Sequence, residues 1–412
     1  MKEKEVIRVY YDKPNKMLYG FTQLVANAAA KLVYHRKYLR NEIKGVKGPF
    51  VVIANHQSML DFVNLIGATR RPMHFVISNS FFNTLPIRGF MKRLGVIPKQ
   101  QFQTATRDLK KMKAVIDRGE PVVIYPAGLM CEDGLSTPIP AATYKFLKWL
   151  KADVYVAKTS GNYFVMPKWA KNIRRGRTYM DIYKLFSAEE LARTDLKIIQ
   201  EKTDAAMLFD AYREQEQLKI LYKGCDDLQG LEHVLYKCPN CGEEFTIAVE
   251  GNRIYCTECG FAHESDRYGL LRQTGTVGPQ MRYISDWSRM IYRDMQEKLA
   301  KDQQQVLSAK VSISMIDMKR KKFLPVGQGV LSLTKEKFRL EGTVNAEPLD
   351  VAVDAGTFPS LPFSPGKYLE FQYGEKIYRC MPENGRVVMK FINMIKVLYE
   401  SAWRQETATE NV

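Results

Sequence analysis

The chain has 412 residues, an apolar fraction of 45% and a formal net charge of +17. This length predicts two or three domains, and the composition suffices for well-packed cores and shows no long low-complexity tract. The N-terminal segment M-K-E-K-E-V-I-R-V has no apolar core, and no stretch approaches the roughly 18 consecutive apolar residues of a membrane span. We therefore expect neither a signal peptide nor a transmembrane helix.

The excess positive charge lies in the first half of the chain. Residues 1–225 hold 38 Lys and Arg against 20 Asp and Glu, whereas residues 226–412 hold 24 against 25. A basic surface of this kind attracts nucleic acid, anionic lipid or phosphorylated substrates. Composition alone does not choose among these three.

Residues 14–40 show the spacing of an amphipathic helix. Apolar side chains recur every three or four residues, at Leu18, Phe21, Val25, Ala28 and Leu32. Basic side chains cluster towards the end of the segment, at Lys31, Arg36, Lys37 and Arg40. The pattern fits a helix packed on its own domain, and it equally fits a helix lying in a membrane interface with its basic residues near lipid phosphates.

From residue 50 onward, short apolar segments alternate with helical segments. The predicted strands span residues 49–54, 73–78, 95–98, 121–126, 152–158 and 178–185. The predicted helices span residues 58–69, 104–118, 188–192 and 195–218, and Ser187 with Glu190 forms a capping box. This alternation indicates a layered α/β domain over residues 1–225, with helices flanking a mixed sheet.

The second half has a different organisation. We predict a small cysteine-bearing module at 226–275, a helical spacer at 276–306 around a polar helix at 280–305, and a β domain at 307–412. Short strands are predicted at 311–315, 329–334, 338–342, 368–373 and 377–381, followed by an amphipathic helix at 386–403. These elements predict a small barrel or sandwich capped by a helix, similar in outline to pleckstrin-homology or GRAM-like domains.

One of the five histidines, His56, directly follows an apolar run in the segment I-A-N-H-Q-S-M-L-D. Ligands collect beyond the carboxyl ends of parallel strands, so a side chain at this junction can face a cleft. If Asp61 lies just inside the following helix, it can accept from one ring nitrogen and leave the other as a base. Without any catalysis, Ser58 and Asp61 would also form a capping box.

Four blocks of the sequence resemble the signatures of the glycerolipid acyltransferases, the family of the lysophosphatidic acid acyltransferases. V-I-A-N-H-Q-S-M-L-D contains the first signature, N-H-x-S-x-x-D. L-P-I-R-G-F-M-K-R-L-G-V-I-P, G-E-P-V-V-I-Y-P-A-G and V-Y-V-A-K-T-S-G-N-Y-F-V-M-P-K-W resemble the next three in order. The resemblance covers residues 20–220, and the following Y-K-C-P-N-C-G and C-T-E-C-G are similar to a bacterial subgroup that carries a ribbon.

The resemblance implies an O-acyltransferase that moves a fatty acyl group from a thioester of acyl carrier protein or coenzyme A to a hydroxyl of a lysophospholipid or glycerol phosphate. His56 would remove the hydroxyl proton, and Asp61 would orient His56 and stabilise its cation. Backbone N–H groups near Gly128 would stabilise the oxyanion. Lys99 and, less directly, Arg107 would hold the phosphate; an ordinary solvated basic face is the alternative for Arg107.

The chain departs from the family pattern at positions that serve acceptor binding. Ala127 stands where a glutamate is usual, Met130 where an arginine is usual, and Gln101 near a common arginine. Glu132 is a candidate substitute for the missing glutamate. Two explanations fit: an unusual acceptor, or a catalytically weakened relative that binds lipid as a regulator or scaffold.

The cysteines predict a structural metal site. Four of the seven, Cys238, Cys241, Cys256 and Cys259, have the spacing C-x2-C-x14-C-x2-C, which is typical of zinc ribbons. Four thiolates would complete a tetrahedral Zn²⁺ site, with an iron site as the minor alternative. The odd total of cysteines argues against a disulfide framework and for a reducing, cytosolic compartment.

Together these features predict a peripheral membrane acyltransferase at the inner face of the cell membrane, attracted to anionic lipid by its basic first domain. Acidic residues surround the cysteine module, at 226–227, 243–244, 250 and 258. Because these charges disfavour contact with phosphate backbones, we expect no nucleic-acid partner.

Overall fold

The computed structural model describes residues 13–84, 87–100, 106–302, 304–317 and 319–409. The chain divides into two compact units. Unit 1 comprises residues 1–167 and 172–224, and unit 2 comprises residues 168–171 and 225–412. The finer division of the sequence into four parts remains a prediction.

Unit 1 is built on a mixed sheet whose described strands follow the order β1-β7-β6-β2-β5-β3-β4. These strands are β1 (Lys37–Asn41), β2 (Phe50–Ala54), β3 (His74–Ser78), β4 (Ile97–Lys99), β5 (Val122–Ile124), β6 (Asp153–Ser160) and β7 (Tyr179–Phe186). β6 and β7 are antiparallel, and the other paired strands are parallel. The predicted layered α/β class with a mixed sheet is therefore confirmed.

Two apolar cores cover the two faces of this sheet. Along β2, Val51 and Ile53 belong to one core, whereas Phe50, Val52 and Ala54 belong to the other. Because every residue of the strand is buried, its sequence is a continuous apolar run rather than an alternating one. β2 thus forms the centre of the unit, and its carboxyl end is held rigidly.

Helices flank the sheet of unit 1. They are α1 (Lys16–Leu32), α2 (Asp61–Leu65), α3 (Asn79–Thr84), α4 (Arg88–Arg93), α5 (Thr106–Asp117), α6 (Ala142–Leu150), α7 (Asn162–Val165), α8 (Ala188–Arg193), α9 (Leu196–Met207) and α10 (Ala211–Leu218). The capping box that opens α8 is present, with both the Ser187 and the Glu190 side-chain hydrogen bonds formed. Among the residues that the structure describes, no helix combines the length and the apolar character that crossing a bilayer requires.

Three predicted helices of unit 1 are wrong in extent. The helix expected over 14–40 ends at Leu32, and β1 occupies residues 37–41, where the main chain pairs with β7. The helix expected over 58–69 is the short α2. The helix expected over 195–218 is broken into α9 and α10, because Asp210 caps a new start by accepting from the backbone N–H groups of Tyr212 and Arg213.

Unit 2 contains an antiparallel sheet of order β11-β10-β9-β8, with β8 (Ile247–Glu250), β9 (Arg253–Cys256), β10 (Ala262–Ser265) and β11 (Leu271–Gln273). A short 3-10 helix, Leu231–His233, precedes this sheet, and the helix α11 (Ile284–Lys301) follows it. Trp287 of α11 is fully buried and donates from Nε1 to the Lys237 carbonyl at 2.8 Å. The spacer helix therefore packs on the cysteine-bearing segment.

The rest of unit 2 is a larger antiparallel sheet closed by one helix. Its described strands follow the order β15-β14-β13-β12-β18-β17-β16. They are β12 (Leu307–Asp317), β13 (Lys322–Leu333), β14 (Lys337–Val344), β15 (Glu347–Asp354), β16 (Phe363–Ser364), β17 (Tyr368–Tyr373) and β18 (Lys376–Pro382). Residues Ala355–Thr357 form a 3-10 helix, and α12 (Val387–Thr409) closes the unit with Phe391 and Ile395 fully buried. The predicted β region capped by a helix is confirmed.

Candidate active site and candidate metal centre

The candidate active site lies at the carboxyl end of β2. β2 pairs in parallel with β5 on one side and with β6 on the other. Because parallel strands end at the same edge of a sheet, the residues that follow these three strands converge there. They are His56 after β2, Tyr125 after β5 and Asn162 after β6.

His56 and Asp61 are in direct contact. The His56 Nδ1 atom lies 2.9 Å from the Asp61 Oδ2 atom. Asp61 is 2% exposed, whereas the His56 side chain is 22% exposed. With Nδ1 donating to the carboxylate, Nε2 carries the lone pair, and no described residue is hydrogen-bonded to Nε2. The pair can therefore act as an oriented base.

The loop between His56 and α2 wraps around the Asp61 carboxylate. Besides His56, Oδ2 accepts from the backbone N–H groups of Gln57 at 2.8 Å and Ser58 at 3.0 Å. The alternative of a complete capping box is wrong, because the Ser58 hydroxyl accepts from the Leu60 N–H and not from the Asp61 N–H. Asp61 is thus the first residue of α2, and its carboxylate accepts hydrogen bonds from the loop backbone and from His56.

Tyr125 packs directly against the ring of His56. Its ring stacks on the His56 imidazole with a centroid separation of 4.3 Å and an interplanar angle of 27°. Its hydroxyl is buried and has no hydrogen-bond partner among the described residues. Burial, and then the Asp61 charge, raises the pKa of Tyr125 well above its ordinary value, so the phenol stays neutral. The ring restricts the imidazole to one plane.

A cavity of about 20 Å³ opens beside His56. Its wall is largely apolar and consists of Ala54, Asn55, His56, Pro126, Ala127, Leu129, Ser136, Thr137, Ile139, Met207 and Phe209. A reacting group here would be in reach of the imidazole and shielded from much of the solvent. Ala127, one of the departures from the family pattern, lies in this wall.

The predicted phosphate-binding residues do not contact His56 in the structure. Lys99 ends β4, which lies three strands from β2, or about 14 Å at about 4.8 Å for each strand. Burial lowers the pKa of Lys99, and the Asp108 carboxylate partly offsets this shift. Arg107 is exposed in the first turn of α5. Both belong to the β4–α5 side of the sheet.

Gly128 does not offer a free N–H group in this conformation. Its N–H donates to the Tyr125 carbonyl at 2.9 Å, which closes the turn after β5. Glu132, the candidate substitute for the missing glutamate, is 4% exposed and lies outside the cavity wall. Gln101 lies outside the described residues.

Sequence reasoning missed Tyr125 and Asn162. Tyr125 lies within the strand predicted at 121–126 and Asn162 follows the strand predicted at 152–158, but neither was assigned a role. The order of the strands is the information that would have identified both residues. Once β5 and β6 are placed on either side of β2, the residues that follow them must lie beside His56.

The four paired cysteines of unit 2 converge. All four Sγ atoms lie within 4.8 Å of one another. The Sγ atoms of Cys238 and Cys259 are 3.7 Å apart, and those of Cys241 and Cys256 are 3.8 Å apart. Glycines with positive φ, at Gly242 and Gly260, follow each pair and permit the tight turns that aim the sulfurs at one point.

The cysteine cluster fits a tetrahedral metal ion. Four sulfurs at about 2.3 Å from a central ion would lie about 3.8 Å apart, close to the observed separations. The backbone N–H groups of Asn240 and Glu258 approach Cys238 Sγ and Cys256 Sγ at 3.4 and 3.5 Å. Donors of this kind stabilise thiolates. These residues could hold a metal, and four protein ligands leave no open coordination position.

Residues 31–165 match the family model described as Acyltransferase. The matched segment contains β2, the His56–Asp61 loop, Tyr125 and Asn162, which are the elements of the candidate active site. The match therefore supports an acyltransferase domain in this part of unit 1. A search of curated proteins finds no match to the chain.

Two solved structures resemble parts of the chain. One is the 1-acyl-sn-glycerophosphate (LPA) acyltransferase PlsC from Thermotoga maritima, with 15% identity, a TM-score of 0.42, and coverage of 52% of this chain and 86% of that chain. The other is the Ran Binding Domain of Nup2 from Ashbya gossypii, with 14% identity, a TM-score of 0.19, and coverage of 24% and 99% respectively. Both superpositions are partial, and the fold described above rests on the chain's own strands and helices.

Proposed function

We propose that unit 1 transfers a fatty acyl group from a thioester donor to a hydroxyl of a lysophospholipid or glycerol phosphate. The observation that carries this proposal is the contact of His56 Nδ1 with the buried Asp61 carboxylate, with Nε2 left as a base beside a cavity. The match of this segment to the acyltransferase family model supports it.

In the proposed reaction, the acceptor hydroxyl attacks the thioester carbonyl while Nε2 of His56 takes its proton. A carbon–oxygen bond forms, the carbonyl electrons move onto oxygen, and their return breaks the carbon–sulfur bond. The departing thiolate of coenzyme A or acyl carrier protein then receives the proton from the imidazolium. Asp61 holds the ring in the reactive orientation and stabilises its transient positive charge. No protein nucleophile is needed when both substrates bind together.

We propose that Lys99 binds the phosphate of the acceptor, with Arg107 as a second cation on the same side of the sheet. Burial in unit 1 removes part of the hydration of the Lys99 ammonium and lowers the pKa of Lys99. A partly desolvated cation gains more from an anionic ligand than a solvated one does. Because Ala127 stands in place of the usual glutamate, the family pattern does not define which head group the acceptor carries.

We propose that α1 lies in the interface of an anionic membrane, at the inner face of the cell membrane. Its exposed side is apolar: Met17, Phe21, Leu24, Val25 and Leu32 are 52–87% exposed. The opposite side, with Tyr19 and Ala30, is buried in unit 1. Exposed Lys16 and Lys31 would lie near lipid phosphates. A solvent-exposed apolar helix face of this size is costly unless something covers it.

The membrane proposal is tested by liposome flotation with anionic vesicles. The double variant Phe21→Glu, Leu24→Glu should lose most of the membrane-bound fraction, because it places two charges on the face that enters the lipid. The matched control Ile198→Glu, Leu208→Glu changes exposed apolar residues elsewhere in unit 1 and should float as wild type does. Equal flotation of both double variants would contradict the role of α1.

The acyltransferase proposal is tested with a matched pair of histidine variants. His56→Asn should reduce acyl transfer by about 10²–10⁴-fold, the usual contribution of a general base. His35→Asn alters an exposed histidine whose positive φ of 42° asparagine tolerates, and it should keep wild-type turnover. The assay uses a radiolabelled acyl donor, as coenzyme A and acyl-carrier thioesters, and a panel of lysolipids. Wild-type turnover by His56→Asn would contradict the proposed mechanism.

A second function is favoured by one observation, the loss of the acceptor-binding residues at Ala127 and Met130. In this alternative the chain is a catalytically weakened relative that binds lipid as a regulator or scaffold. Wild-type protein that floats with anionic vesicles but transfers no acyl group to any acceptor of the panel would support it.

We propose that the four cysteines hold Zn²⁺ in a structural role. The convergence of all four sulfurs within 4.8 Å of one another supports a single ion, and the full set of protein ligands supports a structural rather than a catalytic role. The ion would hold together the turns on which Cys238 and Cys256 lie.

A further inference from the structure

The two oxygens of the Asp61 carboxylate have different partners. Oδ2 serves His56 and the backbone of the adjoining loop. Oδ1 accepts from the Asn162 side-chain amide, with Nδ2 at 2.6 Å. Asn162 is far from Asp61 in sequence and is 2% exposed. A buried donor from the segment that follows β6 therefore completes the environment of this carboxylate.

The chain presents Asn162 to Asp61 through a specific turn. β6 ends at Ser160, and Gly161 follows with φ +90°, a conformation that other residues rarely adopt. A Cβ on Gly161 would also lie 2.3 Å from the Tyr222 hydroxyl oxygen. Asn162 then opens the short helix α7 at the edge of the sheet where β2 also ends.

The orientation of the Asn162 amide is set by its two neighbours. An ionised carboxylate only accepts hydrogen bonds, so Asn162 must turn Nδ2 towards Asp61. Its Oδ1 atom then accepts from Asn64 Nδ2 at 2.6 Å, and Asn64 Nδ2 also lies 3.3 Å from Thr178 Oγ1. Because Asn64 is itself buried, the Asn162 amide cannot reverse without placing two donors or two acceptors face to face.

We propose that Asn162 is a positioning residue of the acyl-transfer reaction. It fixes the plane of the Asp61 carboxylate, so that Oδ2 points at Nδ1 of His56 and keeps the ring proton there. Aspartate χ2 is otherwise a soft torsion with a broad range. Without Asn162, Oδ1 is left buried without its side-chain donor, and the carboxylate rotates to recover one. This inference rests on the proposed function for its kinetic part only.

The test measures both catalysis and the tautomer of His56. In Asn162→Ala, kcat should fall by about 10–100-fold, the size of the effect when the hydrogen-bond partner of a metal-ligating side chain is removed, while KM stays within about two-fold. In ¹⁵N spectra of the histidine rings, the Nδ1–H tautomer of His56 should lose population to the Nε2–H tautomer. Asn162→Ser keeps a hydroxyl donor and should lie between wild type and Asn162→Ala in both measurements.

A matched control separates positioning from general stability. Gln215 is another buried amide of unit 1, bonded through both side-chain atoms to the Ile220 backbone. Gln215→Ala should lower thermal stability and leave kcat and the His56 tautomer unchanged. A folded Asn162→Ala or Asn162→Ser protein with the wild-type tautomer would overturn the proposal. Wild-type protein without acyl transfer would instead refute the proposed function, and the tautomer measurement would still decide the role of Asn162.

Discussion

The two candidate sites are assembled in opposite ways. In unit 2, the four cysteines lie within residues 238–259, and the β8–β9 hairpin between the pairs brings them together. In unit 1, His56, Tyr125 and Asn162 follow three different strands, and only the order of strands in the sheet makes them neighbours. A local site can be recognised from spacing, whereas a distributed site needs the topology first.

The two sites also differ in how their charged groups are stabilised. Unit 1 keeps one buried carboxylate and surrounds it with N–H donors from His56, Gln57, Ser58 and Asn162. Unit 2 collects four thiols whose mutual repulsion as thiolates only a cation can remove. The first arrangement is complete within the protein, whereas the second would be completed by the proposed ion.

Removing the ion should have the largest effect, because structural zinc contributes about 10–16 kcal/mol of folding free energy in small peptides. We expect one zinc per chain by elemental analysis, and a strong rise in amide hydrogen exchange over residues 238–265 after chelation. Cys256→Ser should lose the metal, whereas Cys380→Ser, at a buried cysteine outside the cluster, should retain it. A metal-free protein whose exchange does not respond to chelator would contradict the site.

Changing the carboxylate of unit 1 should reduce acyl transfer by about 10²–10⁴-fold. In Asp61→Asn, the amide has one acceptor oxygen instead of two, so it cannot accept from His56 and the loop N–H groups on one side and from Asn162 on the other, and the base loses its orientation. The matched control Asp204→Asn alters a carboxylate of the same unit that accepts from Tyr144. It should change stability without changing kcat. An equal change of kcat in Asp61→Asn and Asp204→Asn, measured by steady-state kinetics, would contradict the role of the His56–Asp61 pair.

A pair of glycine variants tests how closely α1 is packed in unit 1. A Cβ on Gly67 would lie 1.9 Å from Asn27 Oδ1, so Gly67→Ala should push the Asn27 side chain away from its hydrogen bond with Arg36 and destabilise the unit by about 1–3 kcal/mol. Gly20 lies within α1 with no atom within 4 Å of an added Cβ, so Gly20→Ala should stabilise by up to about 1 kcal/mol. Urea unfolding curves measure both. If Gly67→Ala and Gly20→Ala changed the free energy of unfolding equally and in the same direction, the close packing between Gly67 and α1 would be absent.

The smallest expected effect is a pH dependence in unit 2. His263 is fully buried, and burial lowers its pKa from 6.5 to about 4. Between these values the unfolded chain binds a proton that the folded unit does not, so stability present above pH 6.5 is lost as the pH falls towards 4. Thermal melts with excess zinc should show a shallower loss for His263→Gln than for wild type. His35→Asn should keep the wild-type slope, and an unchanged slope in His263→Gln would refute the assignment.

Much of the fold could be predicted from local patterns. The six strands predicted for unit 1 agree with β2–β7 to within a few residues, whereas β1, K-Y-L-R-N, lies where a helix was expected. β15, E-P-L-D-V-A-V-D, was missed because three acidic residues and a proline interrupt its apolar residues, and its side chains are mostly exposed, as is usual in an edge strand. The break between α9 and α10 was missed because the capping signal at Asp210 lies inside an otherwise helical pattern.

The sequence by itself determined the cysteine spacing, the apolar strands, and the presence of His56 and Asp61 within one turn of chain. Each of these features depends on residues close together in sequence, where backbone geometry limits the outcomes. Only the tertiary structure decided that Tyr125 stacks on His56, that Asn162 reaches Asp61, and that the Gly128 N–H is already used. Those contacts depend on which strands become neighbours in the sheet, and that choice is made by packing over the whole unit.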